Sequence, residues 1–431
     1  MFFDSSIRQV STNSVHLPCT TFEAVAYNKA TKIRDRERFK MELLIAAMLM
    51  LWGNVTDGNP GVTLDQIAQI AELPPAAIVV QPDGTKSVDP LVPAGKADPQ
   101  AGSAPTVKGV YATAHSAGGA RLETLLKLMD ETELNALVVD VKDDFGYITY
   151  RTGNPELEAM ETTKKIITDM PALMNKLNEH QVYPIARIVV FKDTVLAKKK
   201  PELSFLNPDG TLWNNGKASA DSFVNPYSKE VWDYNIAVAK EAVKAGFKEI
   251  QFDYVRFPEG FETRADKLKY TKDERSRVDA VTSFVKYARE QLAPLGVRTS
   301  VDIFGYAASV PAAEGIGQDF VKIAQNTDVL SPMIYPSHYS TGWFGQKVPD
   351  AAPYATINGA SVDTNKKLEP LETLKPIIRP WIQDFTASWV QGYVKYGKHE
   401  VEEQIRALKD NGVEEFLLWN AVNTYTAGVA Y

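Results

Sequence analysis

The sequence predicts an α/β protein built on a (β/α)8 TIM barrel, preceded by an N-terminal segment and a linker rich in proline, alanine and glycine. From residue 106 onward, a short apolar strand, a loop and a helical pattern recur until eight strands are counted, as in a closed parallel barrel. Polar and acidic residues cluster where these strands end. The turn after the first strand lacks the G-x-G-x-x-G sequence that an open doubly wound sheet, the main alternative, would favour.

Composition limits the classes of function. The 431 residues include 44% hydrophobic and 10% aromatic residues, enough to bury a large core. A net charge of -7 argues against a nucleic-acid partner, which usually meets a basic face. Cys19 is the only cysteine, which excludes an internal disulfide, and the five histidines lack zinc-ligand spacing. We therefore expect no metal and no cofactor.

The N-terminal segment, residues 1–73, contains a run of about ten uncharged apolar residues at 43–52, which is too short to span a bilayer as a helix. Basic residues precede it, as in an export signal or anchor, which would place the protein outside the cell or at the envelope. Acidic residues among the basic ones favour a buried helix instead, so a cytoplasmic location stays open. Residues 63–73 have the spacing of an amphipathic helix.

Residues 74–105 are rich in proline, glycine and alanine, which predicts a linker, so the barrel domain is expected at 106–431. Helices are predicted at 120–130, 170–177, 229–245 and 279–292, where apolar residues recur with helical spacing. The eight strands, short runs rich in β-branched and aromatic residues, are predicted at 107–113, 136–141, 183–191, 249–259, 298–304, 329–335, 377–385 and 415–420.

The fourth strand carries the main catalytic candidate. Asp253 lies in the run E-I-Q-F-D-Y-V-R-F-P-E, and a carboxylate among such apolar residues costs free energy unless it is paired or used. In a parallel barrel the carboxyl ends of the strands form the active face, so an aspartate there indicates chemistry. The structural alternative is a buried ion pair between Asp253 and Arg256.

The other strand ends supply further candidates for one cleft. Carboxylates and amides can bond sugar hydroxyls, and aromatic faces can stack on sugar rings, so the set indicates a carbohydrate site. Each residue also has a structural reading: Asp140 could pair with Lys142, Asp143 could shape a turn, and the tryptophans could fill the barrel. The candidates, in chain order, are Asp140, Lys142, Asp143, Arg187, Arg256, Asp302, Tyr335, His338, Trp381, Gln383, Asp384, Trp419 and Asn420.

Glycoside hydrolysis needs two carboxyl groups, one protonated and one ionised. We expect Asp253 as nucleophile or base, kept ionised by Arg256 if the two are close, with Asp302 or Asp384 as the general acid. Two other functions remain open. A non-catalytic carbohydrate-binding barrel would keep the aromatic and amide residues, and a metal-dependent hydrolase would use Asp140, Asp143 and Asp302, although clustered histidines are lacking.

The motifs V-K-G-V-Y-A-T, L-V-V-D-V-K-D-D, I-Q-F-D-Y-V-R-F-P, S-V-D-I-F-G, S-P-M-I-Y-P-S-H-Y and I-R-P-W-I-Q-D-F resemble a bacterial glycoside hydrolase domain family of the TIM-barrel glycosidases. The resemblance covers roughly residues 107–426. It implies a barrel fold and a polysaccharide or oligosaccharide substrate. In the wider group an acidic residue commonly acts at the end of strand four, where Asp253 stands. Many enzymes of that group have a glutamate at or near the end of strand five, whereas the acid on strand five of this sequence is Asp302.

Overall fold

The computed structural model describes residues 104–217 and 219–431, together with the backbone of Val79–Val80 and Lys86–Ser87. These two short strands pair antiparallel within the stretch assigned to the linker. The N-terminal apolar run and the amphipathic helix predicted at residues 63–73 lie outside the described residues. None of the described helices is long and apolar enough to cross a membrane.

Eight parallel strand positions close into a barrel, which confirms the predicted fold class. Closure is shown by the last strand, which pairs with the seventh on one side and with the first on the other. The strands are β1 (Lys108–Ala112), β2 (Ala136–Lys142), β3 (Tyr183–Val189), β4 (Glu249–Asp253), β5 (Arg298–Phe304), β6 (Val329–Met333), β7 (Ile377–Ile378 and Trp381–Gln383) and β8 (Phe416–Trp419).

A helix separates each strand from the next and packs its apolar face on the barrel. These seven are Arg121–Asp130, Met170–Glu179, Lys229–Ala245, Arg277–Leu292, Phe320–Ala324, Pro353–Leu368 and Lys398–Asp410. Three short helices, Ala114–Ala117, Pro155–Ala159 and Thr194–Lys199, lie in the loops. Lys229–Ala245 is the longest helix of the described residues. It is capped at its start by Ser228, whose side chain accepts from the Val231 amide, and at its end by Gly246, which has a positive φ of 114°.

Two strands are shorter than their apolar patterns indicate. The pattern of strand four continues to Phe257, but β4 ends at Asp253 because Tyr254 adopts a left-handed backbone with φ of 52°. In β7, Pro380 separates the two segments, since proline has no N–H to donate to a ladder. The early end of β4 places Asp253 at the mouth of the barrel.

The bottom of the barrel is held by a buried arginine between two glutamates. Arg379 Nη1 lies 2.7 Å from Glu249 Oε1, its Nε lies 2.6 Å from Glu415 Oε2, and the side chains of Arg379 and Glu249 are fully buried. Removing one partner of a buried pair leaves an uncompensated charge, which costs more than losing the attraction itself.

We therefore expect Arg379→Met to lower the free energy of unfolding by about 3–5 kcal/mol, because Glu249 would stay buried without the arginine that compensates its charge. Urea denaturation followed by circular dichroism measures the change. The matched control is Arg406→Met, which removes an exposed pair with Glu403 and should cost at most about 1 kcal/mol. Equal effects of the two substitutions would contradict the interpretation.

Candidate active site

Arg187 on β3 joins carboxylates from the two neighbouring strands at the carboxyl end of the barrel. Its Nη1 donates to Asp140 Oδ1 of β2 at 2.7 Å, and its Nε and Nη2 donate to Asp253 Oδ2 of β4 at 3.0 and 2.6 Å. A longer bond of 3.1 Å reaches Asp144, in the loop after β2. Arg187, Asp140 and Asp253 are buried, so each of their charges is compensated by direct contact and not by water.

Aromatic rings cover one side of this charge network. Tyr111 on β1 donates its hydroxyl to Asp140 Oδ2 at 2.5 Å, and its ring stacks on Trp419 of β8 with centroids 4.2 Å apart. The Arg187 guanidinium lies 5.6 Å from the centroid of each ring. Trp419, which is half-buried, meets Trp381 edge to face at 5.6 Å. Carboxylates and aromatic faces thus converge at one mouth.

Asp302 is the neighbour of Asp253 on the adjacent strand. The last paired residues of β4 and β5 are Phe252 and Val301, so the next residue of each strand is the aspartate. Trp381 Nε1 donates to Asp302 Oδ1 at 2.8 Å, while Oδ2 has no hydrogen-bond partner among the described residues. Burial raises the pKa of Asp302 well above its usual range, and the charge of Asp253 raises it further. The protonated form is therefore favoured.

The remaining acids of the network differ from Asp302. Burial raises the pKa of Asp140 to about 6, against the opposing effect of Arg187. Burial also acts on Asp144, but Arg187 and Lys192 outweigh it and hold the pKa of Asp144 below its usual value. Lys192 Nζ lies 3.3 Å from Asp144 Oδ1. The site thus combines acids that have cationic partners with Asp302, which has none within hydrogen-bond distance.

Two predicted site residues on strand two are occupied by structural contacts. Lys142 is fully buried, where it pairs with Asp193 at 2.7 Å and donates to the Val189 carbonyl at 2.6 Å. The structure therefore brings Lys142 neither to the cleft nor to Asp140. Asp143 Oδ1 accepts from the amides of Phe145, Gly146 and Tyr147, which is the turn role. In the described part of the chain, no group of three His, Cys, Asp or Glu side chains could hold a metal ion.

The expected contact between Asp253 and Arg256 is replaced by another pairing. The guanidinium that bonds Asp253 is that of Arg187, whereas Arg256 donates to Glu259 at 3.4 Å and to the Phe257 carbonyl at 3.1 Å. The Arg256 guanidinium also lies over two nearby aromatic rings, 4.8 Å from the centroid of Tyr254 and 4.7 Å from that of Phe304. The left-handed turn at Tyr254 separates the two residues despite their closeness in sequence.

The candidates at the ends of β7 and β8 fall into two groups, polar residues that hydrogen-bond to loops and tryptophans that lie beside the charge network. Gln383 donates to Asp350 at 2.9 Å and accepts from the Ser337 amide at 3.0 Å. Asp384 accepts from Thr426 through both oxygens, at 2.5 and 2.9 Å, and Asn420 donates to the Asp384 carbonyl. These three residues hold loops together. By contrast, Trp381 and Trp419 face the charge network described above.

The loop after β6 contributes the last two candidates. Tyr335 is buried, and its ring meets those of His338 at 5.1 Å and Phe385 at 6.1 Å. The His338 side chain is exposed, and its Nδ1 lies 3.0 Å from Ser337 Oγ. The structure therefore places Tyr335 inside the mouth and His338 at its rim.

Sequence reasoning misses Tyr111, and it finds Asp144 and Lys192 at the ends of strands two and three without selecting them as site residues. The Tyr111 hydroxyl donates a hydrogen bond to Asp140. Its inward position could have been found from the alternation of side chains along β1, where Gly109 and Tyr111 face the same side. Asp144 stands beside the selected Asp143, but only the fold shows that Asp144 meets Arg187. The place of Lys192 in the site likewise follows only from its contact with Asp144.

A family model described as "Putative glycosyl hydrolase domain" matches residues 109–425. None of the curated proteins matches the chain. Among solved structures, a hypothetical protein from Ruminiclostridium thermocellum ATCC 27405 is 36% identical over 45% of this chain and 96% of its own, with a TM-score of 0.41. The PgaB (BpsB) glycoside hydrolase domain from Bordetella bronchiseptica is 12% identical over 74% and 95%, with a TM-score of 0.51, which is a likeness of fold.

Proposed function

The chain belongs to the glycosyl hydrolase domain family whose model covers most of the barrel, and on that premise we propose that it hydrolyses O-glycosidic bonds of a polysaccharide by carboxylate acid–base chemistry. The observation that supports the proposal best is the unequal environment of two adjacent aspartates. Asp253 is bonded twice by Arg187, while Asp302 is buried and has an indole N–H as its bonding partner. Such an inequality separates an ionised carboxylate from a protonated one.

We assign Asp253 as the nucleophile or base and Asp302 as the general acid. A general acid must hold its proton near neutral pH, and burial beside a negative charge raises the pKa of Asp302 in that direction. Asp384 is the weaker candidate because Thr426 already bonds both of its carboxylate oxygens. Asp140 then keeps Arg187 in place, and Tyr111 in turn holds Asp140.

We propose that the half-buried Trp419 stacks on the sugar unit nearest the reacting bond and that the fully buried Trp381 supports its ring from behind, with Tyr335 inside the mouth and His338 at its rim. A cell-envelope glycan is the substrate source that we propose, together with a location outside the cell or at the envelope. The support is the basic and then apolar character of the N-terminal segment in the sequence.

One observation favours a second function, a carbohydrate-binding barrel without hydrolysis. Asp253 Oδ2 accepts two bonds from Arg187, and its Oδ1 accepts the Tyr254 amide at 2.6 Å, so both oxygens are engaged. Three of the roughly four lone-pair sites of this carboxylate are thus occupied before a substrate enters, which leaves a nucleophile or base one site on Oδ1. A binding protein would use the same network only to keep the mouth rigid.

Incubating the full chain with soluble starch, pullulan, dextran, glycol chitin, chitosan and isolated bacterial exopolysaccharide tests the two functions. Release of reducing ends, measured against a heat-treated sample, supports hydrolysis. Affinity electrophoresis in gels that contain the same polymers detects binding independently. Retardation without release of reducing ends would favour the carbohydrate-binding barrel over the hydrolase. The absence of both retardation and release would contradict both functions.

A further inference from the structure

An exposed tryptophan stands on the loop that follows β7, residues 384–397. Trp389 is 68% exposed, and the Phe385 ring lies nearly parallel to it, at 18° with centroids 6.0 Å apart. Burying an apolar side chain of this size would stabilise the folded state, so folding alone gives no reason to keep it in water. Exposed aromatic residues beside a cleft are typical of a binding surface.

The loop that carries Trp389 is firmly anchored. Ala387 is fully buried, Thr386 Oγ1 accepts from the Tyr396 amide at 3.1 Å, and the Phe385 carbonyl accepts from Gln383 at 3.0 Å. Farther along the loop, the Val394 amide donates to Asp350 at 3.3 Å. The indole is therefore held out from a fixed loop, and little conformational entropy would be lost when a ligand stacks on it.

Ring contacts connect Trp389 with the proposed reacting acids. Phe385 packs against the buried cluster inside the barrel that contains Tyr335 and Trp381, and its ring is 6.1 Å from that of Tyr335. Trp381 in turn bonds Asp302. The side chains that connect Asp302 with Trp389 are therefore all aromatic.

We propose that Phe385 and Trp389, here called the outer platform, bind sugar units of a glycan chain beyond those that react. This inference rests on the proposed function and narrows it to substrates long enough to lie over both the mouth and the outer platform. Indole and phenyl faces suit the C–H surface of pyranose rings, and a rigid pair of rings selects an extended chain. The protein therefore acts on polymers in preference to short glycosides.

The test compares Trp389→Ala with the wild-type full chain. For the polymer in the panel above that releases reducing ends, we expect KM to rise about tenfold, since one stacking contact is lost, and kcat to stay within about twofold. For the 4-nitrophenyl glycoside of the released sugar, which is too short to reach Trp389, KM should not change. The control is Leu295→Ala, an exposed apolar residue before β5 at the opposite end of the barrel, which should alter neither KM.

The same variants are compared by affinity electrophoresis, which does not require turnover. Weaker retardation of Trp389→Ala than of Leu295→Ala would support the outer platform even if no polymer is cleaved. Unchanged KM and retardation for Trp389→Ala, with an active wild type, would overturn the outer platform and leave the hydrolase standing. No retardation and no hydrolysis by the wild type would overturn both.

Two further results would also decide against the outer platform. An equal rise of KM for polymer and 4-nitrophenyl glycoside would show that Trp389 acts on the reacting unit. A change from dimer to monomer in size-exclusion chromatography on Trp389→Ala substitution would show that a second copy of the chain covers the indole.

Discussion

Asp253→Asn is expected to lower kcat on the hydrolysed polymer by about 10³-fold or more, within the range that loss of a nucleophile or base produces. The amide keeps the shape of the side chain but cannot carry the negative charge that faces the oxocarbenium-like centre. Binding of the polymer should change only a few-fold, since the aromatic rings at the mouth are untouched. Initial rates of reducing-end release and affinity electrophoresis measure the two effects separately.

Stability must be measured in parallel, because Asp253 is also the partner of Arg187. Asp328→Asn is the matched control: it changes an aspartate that bonds Arg289 and Thr299 just before β6, at the opposite end of the barrel. It should retain wild-type kcat. Full activity of a folded Asp253→Asn variant would remove this residue from the mechanism, and with it the catalytic assignment of strand four.

Asp302→Asn is expected to lower kcat on the polymer by about 10²–10⁴-fold, which is the usual contribution of a general acid. The loss should be much smaller on a 2,4-dinitrophenyl glycoside of the same sugar, because that leaving group departs without a proton. Wild-type activity on the polymer should fall as pH rises through the pKa of Asp302, since the acid loses its proton, and this alkaline limb should be absent from the variant.

Asp384→Asn provides the comparison for this prediction. Thr426 bonds both carboxylate oxygens of Asp384, so its substitution should disturb the loop and reduce stability with little dependence on the leaving group. A variant of Asp384 that loses polymer hydrolysis but keeps hydrolysis of the dinitrophenyl glycoside would transfer the role of general acid from Asp302 to Asp384.

Stability should respond to pH through the same residue. Burial raises the pKa of Asp302 above its unfolded value, so the folded state binds more protons in the interval between the two values. The stabilisation is therefore complete at a pH below the pKa that Asp302 has in the unfolded chain. It is lost as pH rises through the pKa that Asp302 has in the folded protein. This is the opposite of the dependence that an ion-paired aspartate produces.

Much of the barrel follows from local patterns in the chain. The helix at 229–245 and the strand at 298–304 were delimited correctly, because amphipathic spacing, a serine cap and a β-branched run act over a few residues. The strand ends likewise indicated which residues approach the mouth, since parallel strands in a barrel present their carboxyl ends to one face. The sequence predicts Asp253 and Asp302 as site residues on that basis.

Partner choice within the site depends instead on contacts between distant parts of the chain. Arg187 lies 66 residues before Asp253, yet closure of β3 against β4 brings their charged groups to 2.6 Å. Arg256 is three residues away but is turned aside by the left-handed backbone at Tyr254. Exposure of Trp389 is equally non-local, since it depends on anchors at Asp350 and Tyr396. Hydrophobic periodicity determines where the helices and strands lie. Barrel closure determines which charged side chains pair, because the energy of an ion pair depends on distance in space and not along the chain.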